Sequence, residues 1–433
     1  MLRRAGADGY GGAGGLTLPA PRRHNRARAT PTHTLTRTPR AASVAFILAT
    51  IGIDALGIGI VIPVVPQLVR VLSGRDISGA SVWVGALVAT YAAAQFAAAP
   101  VLGGLSDRFG RRPVLLLSLA GVCANYLMLA LAPSLAWLFL GRVLAGATAA
   151  NISTANAYIA DVTAPERRGQ RFGLIGAMFG LGFVLGPALG GGLGSIALRL
   201  PFLAAAGLAG CNLLYGVFVL PESLPPERRR AFAWRRANPV GSLGALAADR
   251  AGAHLAVAWS CMWFGLGALQ SSFVLSTALR FGWGAAQNGA ALATVGIGQA
   301  LVQGLLVRRV IARLDERRTA LAGYLCNALA FLVLAAAWQG WMIYVGLLAQ
   351  ALGAVSIPSV RALLSARAGP ERQGEMQGAL ASIEGLTAIV APLVAATLFT
   401  LATRPGTALP FPGAPFLLAA GMYLLAHAAV RRA

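Results

Sequence analysis

The chain has 433 residues, 57% of them hydrophobic and 12% charged, with a mean hydropathy of +0.68. The charged share is about half that of a soluble protein, which excludes a soluble enzyme and points to a polytopic membrane protein in a lipid bilayer. The net charge is +22 and every basic residue is arginine; the arginines lie between apolar runs, not in a separate basic domain, so nucleic acid is not an expected partner.

In chain order, residues 1–41 read as a basic, disordered cytoplasmic tail with eight arginines against the single acid Asp8. Twelve apolar runs follow, at about 42–66, 82–104, 113–132, 135–158, 171–194, 201–220, 253–279, 286–307, 319–337, 341–364, 376–400 and 411–430. Each has the roughly 20-residue length of a bilayer-crossing helix, not the alternating pattern of a barrel strand of about 10 residues. The predicted fold is therefore all-α. An N-terminal six-helix half (42–220) and a C-terminal one (253–433) flank a cytoplasmic linker, 221–252, rich in proline and arginine. With both termini in the cytoplasm, 30 arginines fall on the cytoplasmic side and 5 (Arg70, Arg75, Arg199, Arg280, Arg404) outside, as the positive-inside rule demands. Arg142 alone is left within a span.

The halves repeat at a constant offset of 205 residues: Pro165-Glu166-Arg167-Arg168-Gly169 recurs from Pro370, Pro187 as Pro392, and Arg112 as Arg317. Parallel six-helix repeats related by an axis along the membrane normal would place a substrate site between them.

The four cysteines (Cys123, Cys211, Cys261, Cys326) and four histidines are scattered, with no metal-ligand spacing and no nucleophile–base pattern. No cofactor, resident metal or enzymatic activity is expected. Of the 14 acids, only Asp54 and Glu384 lie well inside spans. A charged acid at mid-bilayer costs roughly 2.5–3.5 kcal/mol even on lenient scales, and low dielectric favours the neutral form of a carboxyl. Such a group can load and release a proton as its surroundings alternate between wet and dry. Between the second and third spans, Gly103, Asp107, Arg108, Gly110, Arg111 and Arg112 predict a tightly turned charged loop that acts as a conformational latch. Gly182, Gly186 and Gly190, with Pro187, line one face of the fifth span and predict close helix packing. Gln95, Asn125, Tyr126, Gln270, Gln299 and Asn327 are polar groups within spans that could line a ligand cavity.

The stretches Ile53–Gly59, Gln95–Leu102, Gly141–Gly146 and Ala157–Thr163, the loop 103–112 and the helix-5 run Gly182–Gly191 carry a resemblance. Across 42–430 the chain resembles the twelve-span drug:proton antiporters of the major facilitator superfamily, most closely the tetracycline efflux proteins. The resemblance implies a secondary active transporter in a bacterial cytoplasmic membrane that expels a small amphipathic compound in exchange for protons. By the resemblance Asp54 would carry the proton and Arg142 would bias its protonation; Glu384, an acid that the resemblance does not predict, would be a further coupling acid on its intramembrane position alone. A divalent metal would enter only with a tetracycline-like cargo. The chain departs from these relatives in carrying Asn125 and Asn327 where aspartates are usual, and Glu384 where they are apolar. Either the coupling acids have been rearranged or the cargo is no longer the tetracycline–metal chelate. The alternatives are an uptake symporter of the same fold and a non-transporting membrane sensor.

Overall fold

The computed structural model describes residues 39–163, 165–229, 232, 250–368, 373–407 and 409–433. The basic tail up to residue 38 and most of the linker lie outside them. The first half consists of α1 (Pro39–Val61), α2 (Val65–Ser73), α3 (Ile77–Phe109), α4 (Arg111–Leu131), α5 (Leu135–Ala147), α6 (Asn151–Val162), α7 (Pro165–Ile196) and α8 (Leu200–Val219). The second consists of α9 (Arg250–Phe281), α10 (Ala285–Leu301), which runs through a π-turn (Val302–Leu306) into α11 (Val307–Ala336), then α12 (Gly340–Gly353), α13 (Ser356–Ala368), α14 (Gln373–Thr403) and α15 (Ala414–Arg432).

The stretch Ala285–Ala336 is 52 residues of near-continuous helix, about 78 Å at 1.5 Å per residue and more than twice a bilayer core of about 30 Å. It folds back at Asp315, whose φ of 65° and ψ of 169° break the helix. Two spans are therefore present there, and the described helices make the twelve crossings of two six-helix halves.

The turn at Asp315 sits 205 residues after Gly110, which has φ 108° and ψ 165°. Both are the sole irregular residue between two long helices. The expected loop at 103–112 is thus no loop: α3 reaches Phe109 and α4 starts at Arg111. Gly110 alone reverses the chain, and only glycine enters that backbone region without strain.

The fourth and tenth spans, expected to be continuous, are broken at the same register. Thr148–Ala150 separates α5 from α6, and Ala354–Val355 separates α12 from α13. The backbone groups freed by each break need local partners. The Ala150 amide donates to Ser118 Oγ at 3.2 Å, and Ser356 Oγ donates to the Gly353 carbonyl at 2.8 Å.

The halves meet at the end opposite residues 103–112. An apolar cluster there joins Ile60, Val61 and Val64 of the first half to Leu275, Ala285 and Phe399 of the second. Gly191 on α7 packs against Ala285 and Gly289 on α10, and Gly85 on α3 against Pro392 and Ala396 on α14. Buried hydroxyls tie α3 to α14: Ser81 Oγ lies 2.6 Å from Thr400 Oγ1, and Ser78 Oγ 2.7 Å from Thr403 Oγ1. The buried clusters nearer residues 103–112 are built from one half alone. The two halves are thus sealed at one end and part towards the other.

Candidate proton and substrate site

Asp54 is buried on α1, 9% exposed. Asn151 Nδ2 donates to its Oδ2, while Oδ1 is shielded and has no partner among the described residues. Asn151 is the first residue of α6. The break in the fourth span therefore points a helix N-terminus, with its partial positive charge, at the carboxyl. The sequence reading missed Asn151; its only signal was a small polar residue in an apolar run.

Three more elements complete the group. Arg142 on α5 lies over the Tyr91 ring of α3, 6.0 Å from its centroid. Its Nη2 is shielded from solvent and unpaired among the described residues. Tyr126 on α4 is 5% exposed, and its hydroxyl abuts Gly57, one turn along α1 from Asp54. Tyr126 and Tyr91 both lie in the combined field of Asp54 and Arg142. Asn125, also buried, faces Gly141 next to Arg142. One acid and one base are thus held in a low-dielectric cluster without a direct ion pair between them. This leaves each able to respond to a proton or a ligand charge.

The glycines of the fifth span fix this cluster's position. A Cβ at Gly182 would lie 2.6 Å from Ala55 Cβ and one at Gly186 2.6 Å from Gly59 Cα, and Gly190 abuts the Ile60 carbonyl. The α1–α7 seam therefore runs directly past Asp54. Of this run, Gly191 reaches across to the second half.

The remaining sequence candidates are dispersed. Glu384 is half-buried on α14 in the second half. Asn327 is buried and donates to its own helix at the Gly323 carbonyl, 3.0 Å, packing against Gly353 at the break of the tenth span. Gln95 and Gln299 are half-buried and Gln270 is exposed.

At the residue 103–112 end, Arg111 Nη1 bonds Asp107 Oδ1 at 2.6 Å and Nε bonds Asp161 Oδ2 at 3.1 Å. Arg108, expected to join this latch, instead stacks its guanidinium over Phe109 at 5.0 Å. Glu222, which the sequence reading did not single out, accepts the Arg111 amide at 2.8 Å and the Arg112 amide at 3.2 Å, capping α4. Arg112 Nη2 donates to the Val217 carbonyl at 2.7 Å, in the last turn of α8. All these members belong to the first half except Glu222, which lies at the near edge of the linker. In this conformation the network binds α3, α4, α6 and α8 together and does not bridge the two halves. The Ala157–Thr163 stretch, one of those that carry the resemblance, was the available signal for Asp161; Glu222 stands at the linker's edge with none.

The Major Facilitator Superfamily model matches residues 47–310 and 255–432. The chain is 41% identical to the tetracycline resistance protein, class C, of Escherichia coli, over 89% of this chain and 96% of that protein. It is 37% identical to the class D protein of Salmonella ordonez, over 80% of this chain and 87% of that one. The crystal structure of the human organic anion transporter MFSD10 superposes with a TM-score of 0.67 at 27% identity, covering 91% of this chain and all of that one. Repeat register, broken helices, superposition and family match agree: the chain belongs to the major facilitator superfamily.

Proposed function

We propose that the chain expels a small amphipathic compound, tetracycline-like or related, across the bacterial cytoplasmic membrane in exchange for protons. The two six-helix halves rock about a site between them, and a divalent cation, where one takes part, travels with the cargo. The likeness to the class C and class D tetracycline resistance proteins supports the cargo class and the direction. The excess of arginine around residues 103–112 and in the linker supports a cytoplasmic position for that end and for both termini.

The observation that carries the reading is Asp54. Its ionised form is favoured by Asn151 at the α6 N-terminus; its neutral form is favoured by the surrounding apolar packing. A modest change in hydration or in the Asp54–Arg142 separation tips that balance, so a proton can be taken up on one side of the cycle and released on the other. Arg142 biases Asp54, and Asp107, Arg111 and Asp161 keep the first half rigid as it moves.

Everted vesicles with an imposed proton gradient test this directly. Asp54→Asn should abolish gradient-driven tetracycline accumulation while the protein stays folded in the membrane; accumulation at the wild-type rate would overturn the assignment. The superposition on MFSD10 favours a second reading, an organic-anion cargo. A fluorescein-type anion replacing tetracycline in the same vesicles separates the two.

A further inference from the structure

Arg70, Arg75, Arg199, Arg280 and Arg404 stand at the sealed end, where the charge bias of the chain disfavours arginine. Four of them form two pairs at the 205-residue offset: Arg75 with Arg280, and Arg199 with Arg404. One member of each pair clamps a helix end. Arg199 Nη2 donates to the Ala132 carbonyl at 3.0 Å, just past α4. Arg280 Nη1 donates to the Leu334 carbonyl at 2.7 Å, and its Nη2 donates to the Ala335 carbonyl, in the last turn of α11. These are carbonyls that a helix C-terminus leaves without an intrahelical partner. The other member of each pair is released from that task. The guanidiniums of Arg75 and Arg404 complete no hydrogen bond or ion pair among the described residues, and neither does that of Arg70.

The released arginines meet. With Arg70 they line one cleft of about 460 Å³, which has Arg70 and Arg75 on its first-half wall and Leu279 and Arg404 on its second-half wall. Its floor is the buried contact of Ser78 with Thr403 that ties α3 to α14. Tight turns fix the three positions. α2 ends on Gly74, at φ 62°, whose amide returns to the Arg70 carbonyl at 3.1 Å, so Arg70 and Arg75 flank a single reversal. Arg404 opens a turn closed by the Thr407 amide at 3.2 Å and carried by Gly406 at φ 89°. The one acid on the cleft is Asp76, whose Oδ1 already accepts the Gly79 amide at 2.9 Å as the N-cap of α3. A helix dipole accounts for Arg70, in the last turn of α2, but not for the convergence of Arg75 and Arg404 upon it from two halves. Three cations against one committed acid leave the cleft short of negative charge. Guanidinium forks match phosphoryl oxygens in charge and geometry, and the volume lies within the roughly 300–1,000 Å³ of small-molecule sites.

We propose that Arg70, Arg75 and Arg404 form a site for a phosphoryl anion that spans the two halves at their sealed end. Free phosphate and the phosphate of an anionic lipid headgroup share this chemistry. The site is whole only while that end is closed, since opening carries Arg404 away from Arg70 and Arg75. A bound anion therefore favours the sealed conformation by its differential affinity for the two states. The binding does not depend on what the chain transports; its effect on the cycle rests on the rocking of the halves proposed above.

The test uses the purified full chain in phosphate-free detergent at constant ionic strength, with two labelled probes, inorganic phosphate and a short-chain phosphatidylglycerol. At least one should bind saturably. Arg75→Gln and Arg404→Gln, both at exposed positions, should each weaken that binding ten-fold or more, whereas Arg308→Gln, an exposed arginine of α11, should leave it unchanged. Saturation by phosphate alone identifies a soluble anion as the ligand; saturation by the lipid, with phosphate displaced, identifies a headgroup. The seal is read in a Leu275→Cys reporter, at a position 3% exposed in the apolar cluster that joins the halves, by its reaction with an impermeant maleimide above that of the parent chain. Saturating anion should slow this reaction several-fold, and adding Arg404→Gln should cancel the protection. The protection itself needs no arginine variant. Failure of both probes to saturate, unchanged binding in folded Arg75→Gln and Arg404→Gln, an equal loss in Arg308→Gln, or an unchanged labelling rate at saturation would each overturn the proposal. The transport reading is judged separately by Asp54→Asn in the vesicle assay.

Discussion

The one-residue turn at Gly110 carries a prediction that its pseudo-equivalent Asp315 checks from the opposite side. An alanine at Gly110 must hold φ near 108° with an extended ψ, at a cost of about 1–3 kcal/mol. Its Cβ would also fall on the Glu222 carboxylate. That carboxylate accepts from the amides of Arg111 and Arg112 and, at 2.9 and 3.0 Å, from those of Ser223 and Leu224. Displacing it removes a helix cap worth about 0.5–2 kcal/mol, towards the lower end because Glu222 is exposed. Gly110→Ala should therefore lose about 2–4 kcal/mol and Glu222→Gln about 1 kcal/mol. Because the first variant already displaces the cap, the double variant should be less damaging than the sum by about 1 kcal/mol. At Asp315 the strain is already present, offset in part by the cap that Asp315 Oδ1 provides to the Arg318 amide at 2.8 Å. Asp315→Gly should therefore be neutral or up to about 2 kcal/mol stabilising. Equilibrium unfolding in mixed detergent micelles measures all four. Additive Gly110 and Glu222 effects, or a loss above about 1 kcal/mol for Asp315→Gly, would refute the assignment of the two turns to one strained geometry.

Two further outcomes follow from the helix seams. Gly190→Ala drives a Cβ into the Ile60 carbonyl, a backbone atom that cannot rotate away, and should cost about 3 kcal/mol, whereas Gly192→Ala enters open space and should stabilise by about 0.5–1 kcal/mol through helix propensity; the same micelle titration compares them. Ser81→Ala and Thr400→Val each remove hydrogen bonds between the halves, worth about 0.5–1.5 kcal/mol, so the seal at that end should open more often. Labelling of an Ile77→Cys reporter by a membrane-impermeant maleimide should then accelerate about 2- to 10-fold, and an unchanged rate would show that the hydroxyls are not part of the seal.

What the sequence disclosed depended on the range of the interaction. Span lengths, the linker, the 205-residue repeat and the isolation of Asp54, Arg142 and Glu384 are local or periodic features, and all are visible in one dimension. The breaks at Thr148–Ala150 and Ala354–Val355 were not, because neither stretch holds a proline and both read as uninterrupted apolar run. Partner choice was the least visible. Asp54 finds Asn151 and Arg111 finds Asp161 across 97 and 50 residues, through helix rotations that only the packed glycine seams determine. Arg108 and Arg111 are three residues apart in the same charged stretch, yet one stacks on a ring and the other makes two ion pairs. The single-residue turn between them rotates the side chains onto different faces.

The repeat also separates what movement requires from what chemistry requires. Backbone devices are present twice: the turn at Gly110 and Asp315, the broken fourth helix of each half, and an arginine that closes the last turn of the sixth helix, Arg112 on the Val217 carbonyl and Arg317 on the Arg431 carbonyl at 2.9 Å. Charge devices are present once. Asp54, Arg142 and Asn151 give way to Trp259, Leu347 and Ser356, and Asp107 and Asp161 to Ala312 and Ala366. Two halves that rock against each other need matched stiffness at matched places, so selection for motion preserves the geometry in both. A coupled exchanger has the opposite need. A second buried acid–base cluster of the same kind would add protonation states in which only one half is loaded, and those states can move protons without cargo. Under the proposed exchange, confining the proton group to Asp54 and its neighbours in the first half removes those states, while the second half keeps the repeated backbone devices that motion needs.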